Sequence, residues 1–169
     1  MLQRAKTYTE LYRDFKWRIP ATYNIGVDVI DRHVNNGNGD RLTLIYETDD
    51  GAPMRQYTFT EIRSASARLA NALRGLGVAR GDRVAILLPQ APEAATAHVA
   101  AYKLGAIALP LFTLFGTEAL QYRLGNSEAA VVVTKAENVD KVMALRGELP
   151  WLQHVIVTGA QSPAGTLAF

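Results

Sequence analysis

Cysteine is absent from the chain. That removes disulfides, thiolate nucleophiles and cysteine-held zinc from its chemistry. Charge of one sign is also scarce. Lys and Arg number 18 against 16 Asp and Glu, a net of +2, with no run of five like charges. Nucleic acid and anionic membrane surfaces are therefore not expected partners. No Gly-Lys-Ser or Gly-Lys-Thr occurs, so a Walker-type phosphate loop is excluded. The most apolar stretch, 94–115, is interrupted by His98, Lys103 and Pro110, and a lysine near mid-bilayer costs about 2.5–3.5 kcal/mol. It reads as a helix, a turn and a strand, not a membrane span. The first ten residues are polar and of mixed charge, unlike a signal peptide. A cytoplasmic location is the expectation.

The histidines, His33, His98 and His154, lie far apart with no carboxylate at ligand spacing. Each is expected to be a satisfied structural residue. Gly75, Gly77 and Gly81 are spaced as GxGxxxG but follow a helix and precede a strand. A dinucleotide fingerprint needs the reverse order, so Gly77 is expected to cap a helix and Gly81-Asp82 to turn. Glu47, Asp49 and Asp50 lack calcium-loop spacing and suit a solvated hairpin tip. The serines lack a nucleophile-elbow context.

Apolar residues make up 49% of the chain, enough to build a core. A helical leader is expected over 1–40. Its first helix runs within 7–17, and its second starts at an Asn24 cap and continues to Val34; a polar loop, 35–39, follows. A hairpin joins strands 42–48 and 55–59 through Asp49-Asp50-Gly51. The apolar period then gives a helix over 62–76. Strands at 83–88, 106–111, 129–134 and 154–158 alternate with helices at 92–104, 117–124 and 137–145. Strands that are apolar end to end imply an α/β fold. The sheet is mostly parallel with helices on both faces, preceded by the leader and the hairpin. The α/β unit is assigned to 41–160, its interior to strands 82–88 and 106–111, and a linker to 161–169.

The order of the pieces carries a resemblance. Tyr57-Thr58-Phe59-Thr60-Glu61-Ile62 is similar to the (L/Y)TYxEL motif of the adenylate-forming superfamily. Gly77-Val78 with Gly81-Asp82-Arg83-Val84-Ala85-Ile86-Leu87-Leu88-Pro89 resembles LGVxxGDRVAIxLPN, with Gln90 for the last Asn. Lys103-Leu104-Gly105-Ala106 through Pro110 resembles xxKxGAVxVP, and Ala129 to Lys135 the xxAKxVITxxE strand that follows. In the leader, Tyr23-Asn24-Ile25-Gly26 and Asp31-Arg32 resemble the FNxAxxxxDR opening of synthetases for short-chain, medium-chain and aromatic acids.

The resemblance implies the N-terminal part of an AMP-forming acyl-CoA synthetase. Such an enzyme uses ATP, magnesium and CoA to convert a small carboxylic acid to acyl-AMP and then to a thioester. It also implies that the Gly/Ser/Thr-rich phosphate loop, the ribose acid, the magnesium glutamate and the catalytic lysine lie outside 1–169. No catalytic or metal residue is therefore assigned here, and the chain by itself is expected to be inactive. Its partners would be the later subdomains of the enzyme, with self-association where those would have packed. Phe112, Thr113, Leu114 and Phe115 align with an FGGF motif beside the adenine end of CoA. Both glycines are replaced, which puts that contact against a competing reading of Phe112 and Phe115 as core at a strand end. Two rival readings stay open: a stand-alone, non-catalytic binding or interaction module, and a synthetase that passes acyl-AMP to a carrier protein.

Overall fold

A computed structural model of the protein describes residues 4–17, 19–48, 51–159 and 162–169. The chain alternates β3 (Arg83–Leu87), α3 (Pro92–Leu104), β4 (Ile107–Pro110), α4 (Thr117–Asn126), β5 (Val131–Lys135), α5 (Ala136–Leu145) and β6 (His154–Thr158). With the final β7 (Leu167–Ala168), the strands form one parallel sheet in the order β4-β3-β5-β6-β7. Alternate side chains feed two separate cores. Val84, Ile86, Val131, Val133 and Ile156 face α3 and α2 (Phe59–Gly75), meeting Leu69, Leu73, Ala97 and Ala101. Ala85, Leu87, Val132, Val155 and Val157 face α4 and α5, meeting Leu120, Leu124, Val139 and Val142. Both faces are covered, so the central strands carry no polar alternation.

Helix ends follow local chemistry. Thr58 Oγ1 accepts from the Glu61 N–H at 3.2 Å, and Glu61 Oε2 accepts from the Thr58 N–H at 2.7 Å, forming a capping box at the start of α2. At its end, the Val78 N–H reaches Leu73 O at 3.0 Å and the Gly77 N–H reaches Arg74 O at 3.0 Å. That pair of bonds closes a Schellman turn, with Gly77 at φ 90°. Gly75, Gly77 and Gly81 are thus a helix end, a cap and a turn.

The bonds from the Thr58 backbone N–H and hydroxyl hold the Glu61 carboxyl below its usual range. A depressed carboxylate contributes stability above its unfolded-state pKa and loses it as pH falls through the folded one. Thr58→Ala is expected to cost about 1 kcal/mol at neutral pH. In urea melts of both proteins, that difference should shrink once Glu61 is protonated in acid.

The hairpin β1 (Leu42–Tyr46) and β2 (Arg55–Thr58) is antiparallel and separate from the main sheet; Asp49 and Asp50 of its expected turn lie outside the described residues. In the leader, α1 (Tyr8–Asp14) starts at Thr7, whose Oγ1 accepts from the Glu10 N–H at 3.2 Å. None of its residues is buried.

Three expectations need correction. First, Ile107–Pro110 does not lie inside the sheet: β4 is an edge strand, and Ile107 is 53% exposed. Ile107 and Leu111 donate inward to Asp82 O and Ile86 O. By alternation the backbone nitrogens of Ala108 and Pro110 point to the open edge, and proline has no N–H to offer another strand. Second, helical winding runs past the expected helix end at Val34 into 35–39, where the expected loop survives as a break at Asn36 and Gly37, both outside helical geometry. π-helical segments Val27–Asp31 and Val34–Asn38 follow one another, kinked where Gly37 takes φ 77°. Gly39 O accepts from the Thr60 N–H at 3.0 Å, which ties this segment to the start of α2. Third, the tail read as a linker carries β7. It pairs with β6, and Arg146 donates to Gly165 O at 2.9 Å.

Candidate functional site

Open parallel sheets offer ligands the crevice at the carboxyl ends of their strands, where chain order reverses. Here β3 lies between β4 and β5, so the reversal falls between β3 and β5. Thr134 Oγ1 donates to Leu87 O at 3.1 Å and laces these two strands together at that end. The β3–α3 connection carries Pro89 and Pro92, with Pro92 in the first turn of α3. Proline supplies no N–H, the Ala91 cap makes no side-chain bond, and Glu93 puts negative charge in the first turn. A phosphate group meets the wrong partners there. At the start of α5, Lys135 Nζ is paired with Glu137 at 2.7 Å. Among the described residues no group of three His, Asp or Glu side chains could hold a metal. Neither helix start therefore fits a triphosphate.

The β4–α4 connection holds the aligned Phe112, Thr113, Leu114 and Phe115. The Phe115 N–H donates to Phe112 O at 3.0 Å, closing a turn that sends the two rings to different environments. Phe115 is half-buried against the α4–α5 core, with the Arg123 guanidinium carbon 4.2 Å from its ring centroid. Phe112 stands edge-on to it, centroids 5.9 Å apart, and is 60% exposed. Leu114 is 78% exposed and Thr113 half-buried. The core reading thus holds in part for Phe115 and fails for Phe112, because the turn lifts Phe112 beyond the strand end. Sequence reasoning missed Arg123; its place under Phe115 depends on the turn that precedes α4. Phe115→Ala is expected to lower the melting temperature clearly and Phe112→Ala hardly at all; thermal melts of the two variants compare them directly.

A shallow cleft of about 330 Å³ lies beside the first turns of α2 and α3, lined by Tyr57, Glu61, Arg68, Glu93, Thr96 and Phe169. Three of its polar side chains serve the fold. Glu61 closes the capping box, Arg68 Nη1 donates to Ser64 Oγ at 2.7 Å, and Thr96 Oγ1 donates to Pro92 O at 2.8 Å.

The leader motif and the Lys-x-Gly-Ala motif meet in one clasp. Asn24 Oδ1 accepts from the Val27 N–H at 3.1 Å, capping its helix as expected, while Asn24 Nδ2 donates to Lys103 O at 3.1 Å. The Lys103 side chain is 11% exposed, and its Nζ lies 2.8 Å from Asp31 Oδ1 and donates to Arg63 O at 3.3 Å. Gly26 lets the leader approach α3 closely, since a Cβ there would lie 2.9 Å from Lys103 Cγ and 3.1 Å from Val99 O. Gly26→Ala is expected to loosen the leader. Hydrogen exchange should rise in 24–38 and stay low in β3 and β5.

The histidines are structural. His33 stacks on Phe59 with centroids 4.4 Å apart, and the His154 ring nitrogen lies 3.2 Å from Leu76 O. Burial lowers the pKa of His98, which sits 3.3 Å from the Tyr102 hydroxyl. No helix among the described residues is long and apolar enough to cross a membrane.

Comparison with known proteins agrees with this arrangement. The family described as AMP-binding enzyme matches residues 30–167. An acetyl-coenzyme A synthetase of Bacillus subtilis (strain 168) is 39% identical over 95% of the chain, and one of Syntrophus aciditrophicus (strain SB) is 34% identical over 88%. The chain spans only 29% and 25% of their lengths. Among solved structures, an acyl-CoA synthetase of Brucella canis covers 95% of the chain at 30% identity and TM-score 0.82; the chain covers 30% of it. The anthranilate CoA ligase AuaEII, in complex with anthranoyl-AMP, covers 89% at 31% identity and TM-score 0.79, with 27% of it covered. The match includes Asp31 and Lys103 of the clasp and strands β3 to β6 in full, and on it the chain belongs to the AMP-binding enzyme family.

Proposed function

We propose that the chain is the N-terminal scaffold of an AMP-forming acid–CoA ligase. The whole enzyme activates a short, medium or aromatic carboxylic acid with ATP to acyl-AMP, then passes the acyl group to CoA. The observation that carries this reading is the unequal coverage: 95% of this chain aligns with 29% of the Bacillus subtilis relative. The sheet packed on both faces, and the motif residues Thr58 and Glu61 that cap α2, support a scaffold role. In this reading the two-faced sheet is one wall of the enzyme. ATP and magnesium are held by segments that the chain's relatives carry beyond the aligned region. ATP–pyrophosphate exchange by the purified chain with acetate, butyrate, octanoate or benzoate should stay at buffer background; clear exchange would refute the assignment.

The exposed turn at Phe112, Thr113 and Leu114 is the part of this wall proposed to touch CoA. An exposed ring on a packed base offers a face to a nucleobase, worth about 1–3 kcal/mol per stacked base. Phe112→Ala in a ligase that contains this chain should then raise the KM for CoA roughly five- to a hundredfold, with pyrophosphate exchange unchanged. Equal loss of both half-reactions would remove Phe112 from the CoA site.

A further inference from the structure

The end of the leader holds two Asn-Gly pairs, Asn36–Gly37 and Asn38–Gly39, whereas Asn24, Asn35, Asn71, Asn126 and Asn138 precede other residues. Glycine after asparagine leaves the next backbone nitrogen unshielded by a Cβ, so that it can reach the side-chain amide carbon. The two pairs share this chemistry but differ in their surroundings. Asn36 and Gly37 are both exposed, and a Cβ added at Gly37 would meet nothing within 4 Å. They also form the kink in the winding, Asn36 at φ −91°, ψ 16° and Gly37 at φ 77°, ψ 11°. No hydrogen bond holds the Asn36 carboxamide among the described residues.

Asn38 and Gly39 are held from several sides. Asn38 O accepts from the Arg41 N–H at 3.2 Å, and Gly39 O accepts from the Thr60 N–H at 3.0 Å. A Cβ on Gly39 would lie 2.5 Å from Thr60 Oγ1. Ring closure requires the peptide between the two residues to rotate. At 38–39 that rotation breaks the tie to Arg41 and strains the packing against Thr60. At 36–37 the side-chain bond it disturbs is the long 3.4 Å one from Asn38 Nδ2 to Asn36 O.

We propose that Asn36 is a site of spontaneous deamidation in the folded protein, while the fold protects Asn38. The Gly37 nitrogen attacks Asn36 Cγ. The N–Cγ bond forms, the Cγ–Nδ2 bond breaks, and ammonia leaves with the proton that Gly37 loses. Water then opens the cyclic imide at either carbonyl, leaving an aspartyl or an isoaspartyl residue. Either product adds one negative charge. The isoaspartyl form also lengthens the backbone by one carbon between the clasp at Asp31 and the hairpin.

The test incubates the folded chain at mildly alkaline pH, with a second sample in urea. Peptide mass spectrometry follows conversion of amide to acid, and isoaspartyl methyltransferase labelling follows the second product. In the folded chain Asn36 should convert several-fold faster than Asn38, and the gap should close in urea. Equal rates in the folded chain, faster conversion at Asn38, or an unchanged Asn36 would overturn the proposal. Gly37→Ala is compared with the wild type in urea, where its folded-state strain is irrelevant. Conversion at Asn36 should be slower in the variant, and an unchanged rate would refute ring closure through the Gly37 nitrogen.

Discussion

Leu87→Ala is expected to destabilise the chain by about 2–5 kcal/mol, the range for emptying a leucine site in a packed core. Leu87 is fully buried at the end of β3 and faces the core shared with α4 and α5. The neighbouring strand is tied to it through Thr134, so the backbone has little freedom to collapse into the space. At roughly 2–4 °C per kcal/mol for a domain of this size, the loss should be plain in a thermal melt. Leu114→Ala is the matching control. At 78% exposed, Leu114 should change stability by no more than about 0.5 kcal/mol. Equal effects would mean that the two-faced sheet does not dominate stability.

The second large effect concerns the clasp. Asp31→Ala leaves the Lys103 ammonium, on a side chain 11% exposed, without its carboxylate. Removing one member of a buried pair costs about 3–5 kcal/mol, and the 19% exposure of Asp31 places this pair near the low end. Arg63, whose Nε lies 3.8 Å from Asp31, carries the same charge as Lys103 and cannot take the carboxylate's place. Urea melts of Asp31→Ala, Lys103→Ala and the double variant should give a coupling of about 1–3 kcal/mol, the range for residues in direct contact. A coupling near zero would reduce the clasp to a surface ion pair. Added salt should change the coupling little, because a mostly buried pair is weakly screened.

Elements bounded by strong punctuation were legible in the sequence. Pro92 and Gly105 bracket α3, Gly77 ends α2, and Asn24 starts the second leader helix through its own side chain. Two-sided burial made β3, β5 and β6 legible as continuous apolar runs. Strand order was not legible in the same way. Residues 106–111 are as apolar as those of β3, and nothing within a strand says which neighbours it will have. The positive φ at Gly37 was legible from the Asn and Gly residues of 35–39, but the bond that Gly39 O accepts from Thr60, about twenty positions later, was not. β7 was hidden because two residues in a polar tail carry no period.

The candidate site was legible only as a position. The alignment found the turn at Phe112, but its exposure and the Arg123 beneath Phe115 depend on how β4 hands over to α4. Other motif residues proved to be fold chemistry. Thr58 and Glu61 cap α2, Gly77 and Gly81 turn the chain, and Lys103 anchors the leader. Motifs that identify the family here fix its architecture, which is why a chain without a visible active site could still be recognised.

This chain is proposed to serve as scaffold for an adenylating ligase whose chemistry lies in other segments. The most direct measurement replaces the aligned segment of the Bacillus subtilis relative with this chain and follows acetate-dependent ATP–pyrophosphate exchange in the purified, folded hybrid. The hybrid should show exchange and the chain alone none. Exchange by the chain alone, or a folded hybrid with none, would contradict the scaffold role.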